Sequence, residues 1–561
     1  MGLLDALFPS VAEDFPNPNA KLLPSCLELS KEKRVVIVGG GPAGVHMSAC
    51  LATKGFKHVT LLEAEVEVGG KSLTVIDPSQ PDVPHELGTC YMSPSYELIR
   101  KLLKEYDPTN EESTFANENK GRMVFGMNLS DEDKRKYTKG MEYFDWVLEE
   151  VEMKTTSKCC RCLPNSAQSV PIFAALIKYN KLHDSIFGKF PYGMPPKPKD
   201  WSKIDMTAME FLKKNGLEIL EPVFLYTQQV QGYGLLDKIP AFYLLWWHHP
   251  DVMNGTIRSM LGSDELLVSL LKNGYQSLWK KMVERHSKEV NYITGAQVTG
   301  VKRTPTVEVK YMHEGAEKTL EADIFISAID LRRFRHLITD LDPEEEKLFS
   351  RLTASSLTTT LYKGKTTEHE HTVEFWFGKM GNPVSPPGST GHPVAQFYGH
   401  RNSRMAARPS IPSNGVELRV AYQYMDRPIE SGDASKLVTT LEENLKTYAG
   451  EEPTEGMLAF QPPTLSPSSL PNLPAPPPQI WNLEPGNAAP GCGTRKVDVL
   501  IQKPWDYFPR FDAKGLREGL PWKILDLQGQ RNTVFIGSSV CFESALDVVA
   551  YNLMLCKKIC A

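Results

Sequence analysis

Residues 34–44 read RVVIVGGGPAG, an apolar β-branched run that ends in Gly39, Gly41 and Gly44. This spacing lets a buried strand turn sharply into a helix, so that backbone N–H groups and the helix N-terminus face a pyrophosphate. The flanking residues agree. Lys33 to Val38 reads as a buried parallel strand, and Val45 to Thr53 (VHMSACLAT) has the small and apolar residues that pack a helix onto a sheet. His58 to Glu63 (HVTLLE) reads as the second strand, closed by Glu63 nineteen residues after Gly44, where a carboxylate hydrogen-bonds a ribose diol. The βαβ unit is complete, so the chain is α/β and takes an adenine dinucleotide near its N-terminus.

Val68-Gly69-Gly70-Lys71-Ser72 and then His85-Glu86-Leu87-Gly88 follow at once. This pair of stretches resembles the second glycine motif of FAD enzymes of the glutathione reductase and amine oxidase type. The resemblance implies FAD as cofactor, with Gly39, Gly41, Pro42, Ala43, Gly44, Glu63 and Ala64 around its ADP half. Gly69, Gly70, Lys71 and Gly88 would approach the phosphate and ribityl region. Asn273 to Leu278 looks like the family's glycine-led helix entry, Asn291 to Val301 like the strand whose Val298 backbone meets adenine, and Ala322 to Ala328 like a later strand of the dinucleotide fold. Asn532 to Gly537 looks like the last strand. Ser538 stands where the superfamily usually keeps an acidic ribityl ligand, a task a serine hydroxyl can share. From Ser544, through Ala545 and Leu546, a helix would aim its N-terminus at the flavin pyrimidine.

Further blocks narrow the resemblance. Pro94-Ser95-Tyr96, Gly232-Tyr233-Gly234 with Asp237 and Ile239-Pro240-Ala241, and Tyr507-Phe508-Pro509 through Gln528 to Thr533 are similar, in the same order, to flavin-dependent polyenoic fatty acid double-bond isomerases. The implied fold is a Rossmann-like FAD domain with an interleaved mixed-sheet substrate domain and a helical cap. The implied reaction moves double bonds into conjugation: flavin N5 takes a hydride from a bis-allylic carbon and returns it to another carbon. Such chemistry asks for placement near contact distance and a dry site. Aromatic faces can stabilise the passing cation. Tyr233, Tyr507, Phe508 and Phe542 are the candidates, with plain core packing as the alternative role of each.

A fatty-acid carboxylate suits a guanidinium. Arg122 stands roughly where the isomerases carry their carboxylate-binding arginine, and a solvated surface arginine is the other reading. Gln228, Gln229 and Gln231 replace the apolar approach those isomerases keep; if they line the channel, the substrate is more polar or bears oxygen in its middle. The rival chemistry is an oxidase or desaturase acting on an amine or lipid. Amine oxidases often place a lysine in the strand resembled by Ser355 to Tyr362, where Thr359 stands here, although a change of register would bring in Lys363 or Lys365. A flavin-containing binding protein that no longer turns over is the third possibility.

With 561 residues the chain suits two or three intertwined domains, and its 41% hydrophobic content supports real cores. A net charge of −5 offers no footprint for nucleic acid. The resemblance to the isomerases implies a small lipid partner, a free polyunsaturated fatty acid, with the oligomeric state left open. The apolar stretch Pro240 to Trp247 is too short to span a bilayer. MGLLDALFPS carries no basic leader, and Ala6 stands where a myristoylation motif wants Ser or Thr, so a soluble protein of the cytoplasm or an organelle interior is expected. Ten irregularly spaced cysteines suit reduced thiols. Cys159, Cys160 and Cys162 read as surface thiols, and Glu368 to His371 as a charged loop; no metal site is expected.

The cofactor motifs divide the chain into an N-terminal extension (1–30), FAD-domain segments (31–105, 272–335, 522–561), a helical cap (106–225) and substrate-domain segments (226–271, 336–521). Met141 to Met153 and Phe173 to Phe187 have helical periodicity, and Thr358 to Tyr362, His371 to Phe377 and Val416 to Tyr424 alternate like strands. Residues 461–490 read as a proline-rich loop.

Overall fold

A computed structural model describes residues 17–24, 27–28, 30–78, 80–114, 122–124, 141–142, 146–147, 170–260, 268–365, 372–375, 396–408, 410–430, 433, 437, 440–441, 481–482 and 497–560. Its first layer is a five-stranded, all-parallel sheet in the order Val290–Ile293, His58–Leu62, Arg34–Val38, Ile324–Ser327, Thr533–Phe535. Both faces of such a sheet are covered, which is why Val35 to Val38 form an unbroken buried run rather than an alternating one. Helix Pro42–Thr53 is buried along most of its length because helices Tyr275–Arg285 and Ala545–Cys556 pack against it. Ala43, Gly44, Ala49 and Ala52 supply the small side chains that this closeness requires.

The strand expected from Asn291 to Val301 is two strands. Gly295, at φ +66°, turns the chain between Val290–Ile293 and Gln297–Lys302, so only the first joins the parallel sheet. Val298 belongs instead to an antiparallel meander with Val307–His313 and Ala316–Ala322, opposite Tyr311. The turn still lies beside the end of the second strand, because the Ala296 N–H donates to the Glu63 carbonyl at 2.8 Å.

The second layer is an eight-stranded mixed sheet in the order Trp481–Asn482, Val497–Arg510, Thr353–Lys365, Val416–Met425, Gln396–Asn402, Val373–Phe375, Arg122–Val124, Met141–Glu142. It reaches into stretches for which other structure is expected. Met141 and Glu142 pair antiparallel with Val124 and Met123 instead of starting a helix, since the sheet edge supplies backbone partners that helical periodicity cannot reveal. Arg122 lies in this sheet, beside Val373, rather than in a helical cap. Trp481 and Asn482 pair with Gln502 and Ile501, so part of the proline-rich segment is strand. The rest of that segment, Cys159, Cys160, Cys162 and Glu368 to His371 lie outside the described residues.

Helices cover the remaining side. Val170–Phe187 contains the expected helical stretch, and Ala208–Lys214 opens on a capping box in which Thr207 and Glu210 satisfy each other's backbone N–H groups. Ala241–Trp247 is buried at every position and Pro250–Met260 follows it directly. In the N-terminal stretch, Leu27–Glu28 pairs in parallel with Ile559–Cys560. Among the described residues no helix is long and apolar enough to cross a membrane.

Candidate functional site

The glycine cradle has the close approaches its sequence requires. Gly39 takes φ +109°, and a Cβ on Gly44 would stand 1.9 Å from the Gly39 carbonyl oxygen. The second motif, with Gly69 at φ +132° and Gly70 at φ +52°, packs directly on the first: a Cβ on Gly70 would come within 2.9 Å of the Gly41 Cα. A Cβ on Gly41 itself would meet nothing nearer than 3.7 Å, so space is kept open there beside the helix N-terminus. Glu63 accepts from the Gly40 N–H at 2.5 Å and the Glu65 N–H at 2.8 Å. Burial pushes its carboxyl upward against those two hydrogen bonds.

The C-terminal residues complete this end. Asn552 donates to the Ala43 carbonyl at 2.8 Å, and Gly537 follows the last parallel strand at φ +94°. Ala545 and Leu546 open the final helix, which Ser544 caps through the Asp547 N–H at 3.0 Å. Ser538 follows Gly537 directly and is half-buried. A Cβ on Gly88 would lie 1.8 Å from the Lys71 carbonyl oxygen, which joins the strand after the cradle to the second glycine pair. The open cradle, the Glu63 carboxylate, the paired glycine motifs and the final helix entrance fit an FAD.

Next to this cradle lies a largely apolar cavity between the eight-stranded sheet and the helices, walled by Tyr91, Tyr226, Tyr233, Trp247, Tyr422 and Tyr507 among others. Four expected aromatic candidates meet here. Tyr233 stacks on Tyr507 at 5.8 Å between ring centres and 13° between planes, and meets Phe542 edge-on at 4.8 Å. Phe508 lies 5.0 Å from Phe542 and 5.8 Å from Tyr233. Tyr233 and Tyr507 line the cavity, whereas Phe508 and Phe542 stand behind them as support. Glycine makes the stack possible: Gly232 at φ +80° holds its Cα against the Tyr507 ring, where a Cβ would sit 3.0 Å from ring carbons. Burial raises both tyrosine hydroxyls well above their ordinary range, so they remain neutral.

Glu543 is the only charged side chain on the described wall, and Lys71 neutralises it from behind at 2.9 Å. Thr359 lines the cavity with its hydroxyl donating to the Leu87 carbonyl at 2.7 Å; no lysine stands at that point. The three glutamines divide. Gln228 donates to the Tyr233 carbonyl and Gln229 accepts from the Leu236 N–H at 2.8 Å, so both hold the turn, while Gln231 faces the cavity. The Arg122 side chain lies outside the described residues.

Trp247, Thr227, His248 and Glu543 are wall residues that sequence reasoning missed. Trp247 stacks on Phe542 at 5.3 Å and 6°. The sequence Trp246-Trp247-His248-His249-Pro250 signals a helix end, and only the folded helix turns its last residues toward the cavity. Glu543 carried a signal, its place directly before the N-cap serine.

Residues 37–106 match the model of a family described as an NAD(P)-binding Rossmann-like domain. Over 527 residues, 91% of each chain, the sequence is 21% identical to a polyenoic fatty acid isomerase of Ptilota filicina. The structure of a CLA-producing fatty acid isomerase from P. acnes superposes with a TM-score of 0.63 and 17% identity, covering 95% of this chain and all of that one. A putrescine oxidase variant superposes with a TM-score of 0.55 and 13% identity over 94% of this chain and 98% of its own. The chain thus has the amine oxidase-like fold of FAD enzymes, with a Rossmann-like dinucleotide domain threaded through it.

Proposed function

We propose that the chain is an FAD-dependent isomerase that shifts the double bonds of a polyunsaturated fatty acid toward a conjugated polyene. The observation that carries the reading is the aromatic cavity beside the dinucleotide cradle, with Tyr233 and Tyr507 stacked on its wall. The similarity to a fatty acid isomerase along nine tenths of both chains supports it.

Bound flavin supplies a two-electron acceptor that can take a hydride and give it back, so substrate and product keep the same oxidation level. The protein's part is placement. A bis-allylic carbon that loses hydride leaves a delocalised cation, and hydride returned to another carbon of the pentadienyl unit places the double bonds in conjugation. The faces of Tyr233 and Tyr507 attract that positive charge, while the Glu543 carboxylate on the same wall is spent on Lys71 and the Phe508 N–H. Apolar walls keep out the water that would trap the cation. Thr359 offers a neutral hydroxyl committed to a backbone carbonyl, which supports isomerisation over amine oxidation.

The test is anaerobic incubation of the purified yellow protein with linoleic and longer polyenoic acids, read as conjugated-diene absorbance. Product formed without oxygen is expected. Oxygen uptake with peroxide release and no diene would establish the oxidase instead.

A further inference from the structure

Residues Leu225–Val230 wind as a π-helix, a form that is rare and collects at functional sites. It turns Thr227 and, one turn on, Gln231 toward the cavity. The Gln231 amide has no hydrogen bond to any described residue, although it sits on a mostly apolar wall. Thr227 Oγ1 lies 2.7 Å from His248 Nε2, and His248 Nδ1 lies 3.0 Å from the Leu244 carbonyl oxygen. A carbonyl only accepts, so Nδ1 carries the ring proton. Burial pushes the imidazole down to about 3, which keeps it neutral and leaves Nε2 as a bare acceptor. The Thr227 proton therefore goes to Nε2, its shorter contact, rather than to the Val223 carbonyl at 3.0 Å. Thr227 Oγ is left as an acceptor on the same cavity wall as the Gln231 amide, four residues along the chain.

From this geometry we infer that the cavity takes a polyene carrying a hydroxyl group within its chain, the hydroxyl donating to Thr227 Oγ and accepting from the Gln231 amide. The inference rests on the fatty-acid reading above and names its substrate class. A keto group cannot donate to Thr227. A carboxylate would set its lone pairs against the same oxygen, and no cationic side chain lines the described wall.

The experiment titrates flavin-loaded protein, without oxygen, with linoleic acid, with monohydroxy linoleic acids substituted at successive carbons, and with the matching keto acids. The readout is perturbation of the flavin absorbance, which needs no turnover. One hydroxyl position is expected to bind about tenfold more tightly than linoleic acid, the gain of a pair of neutral hydrogen bonds, with its keto partner showing no gain. Thr227→Val and Gln231→Leu should each collapse that ratio, and Thr227→Ser should restore it; flavin content and thermal unfolding check each variant's fold. A ratio near one at every position, or one that survives both substitutions, overturns the inference. Diene formation is followed separately. Diene from linoleic acid with a ratio near one overturns only the hydroxyl pocket, whereas a hydroxyl preference without any diene supports the pocket and overturns the isomerase.

Discussion

The Lys71 ammonium lies 2.9 Å from the Glu543 carboxylate, joining the second glycine motif to the residue that precedes the final helix. The same carboxylate accepts the Phe508 N–H at 2.9 Å, and Phe508 sits at φ +53°, where a bulky residue is strained. Lys71 also lies 5.4 Å from the centre of the Tyr507 ring. One ion pair thus holds the second glycine motif and the aromatic wall in register.

Breaking this pair is predicted to loosen the wall. Glu543→Gln and Lys71→Met should each lower stability by about 1–3 kcal/mol, the cost of leaving a partly buried charge or a strained N–H without its partner. Urea denaturation of both single variants and the double variant measures the coupling, expected at about 1 kcal/mol. Strict additivity of the two effects would show that the pair does not act as a unit.

The ring of Tyr507, not its hydroxyl, is predicted to matter for turnover. Tyr507→Phe should keep the rate of diene formation within about threefold, because the neutral hydroxyl adds little to the attraction between a ring face and a cation. Tyr507→Leu keeps an apolar but smaller side chain without a π face and should slow the reaction about tenfold to thirtyfold, equivalent to about 1–2 kcal/mol. Anaerobic initial rates with linoleic acid check both, with flavin content held equal. Equal rates for Leu and Phe would leave Tyr507 as packing alone.

What the sequence revealed follows the range of the interactions. Gly39 to Gly44 and Glu63 are set by local backbone geometry, so their spacing alone located the cradle. Tyr233, Tyr507, Phe508 and Phe542 were legible through resemblance, yet only tertiary packing separates the two that line the cavity from the two behind them. Met141 could not be read as a strand because its partner, Val124, is set by a sheet edge. Gln228, Gln229 and Gln231 look alike in sequence. A π-helix spends two of them on the turn and turns the third toward the cavity, a distinction that periodicity does not carry.

Stability is predicted to depend on pH through Glu86. Its carboxyl is fully buried, accepts from Thr74 Oγ1 at 2.8 Å and the Tyr275 N–H at 2.6 Å, and is pushed up to about 7, chiefly by burial. Those hydrogen bonds and the nearby Arg401 guanidinium oppose the shift. A folded-state pKa above the unfolded one contributes stability that is fully present below about 4.5 and is lost as pH rises through about 7. Gln cannot ionise, so Glu86→Gln should gain on the wild type by up to about 3 kcal/mol across that window. Lost hydrogen bonds add only a pH-independent offset. Buried histidines such as His85 are common to both proteins and cancel in the difference. Unfolding midpoints measured at intervals from acid to alkaline pH check it; a flat difference would mean that Glu86 keeps an ordinary pKa.

Two alanine substitutions in the first glycine motif should fail in different ways. At Gly44 a Cβ would stand 1.9 Å from the Gly39 carbonyl oxygen, a clash of backbone with backbone that no side-chain movement relieves. Gly44→Ala should therefore disrupt the strand-to-helix turn itself, giving little folded protein in any cofactor state. At Gly41 a Cβ would meet nothing nearer than 3.7 Å, and the residue has φ −71°, which alanine adopts freely. The apoprotein of Gly41→Ala should fold with an unfolding midpoint close to that of wild-type apoprotein. Its added methyl group occupies the space through which a pyrophosphate approaches the helix N-terminus, so FAD affinity should fall by tenfold or more, about 1.4 kcal/mol at least. Flavin absorbance after dialysis against FAD, set beside thermal unfolding of the stripped protein, separates the two outcomes. Full flavin retention by Gly41→Ala would move the phosphate site away from this turn.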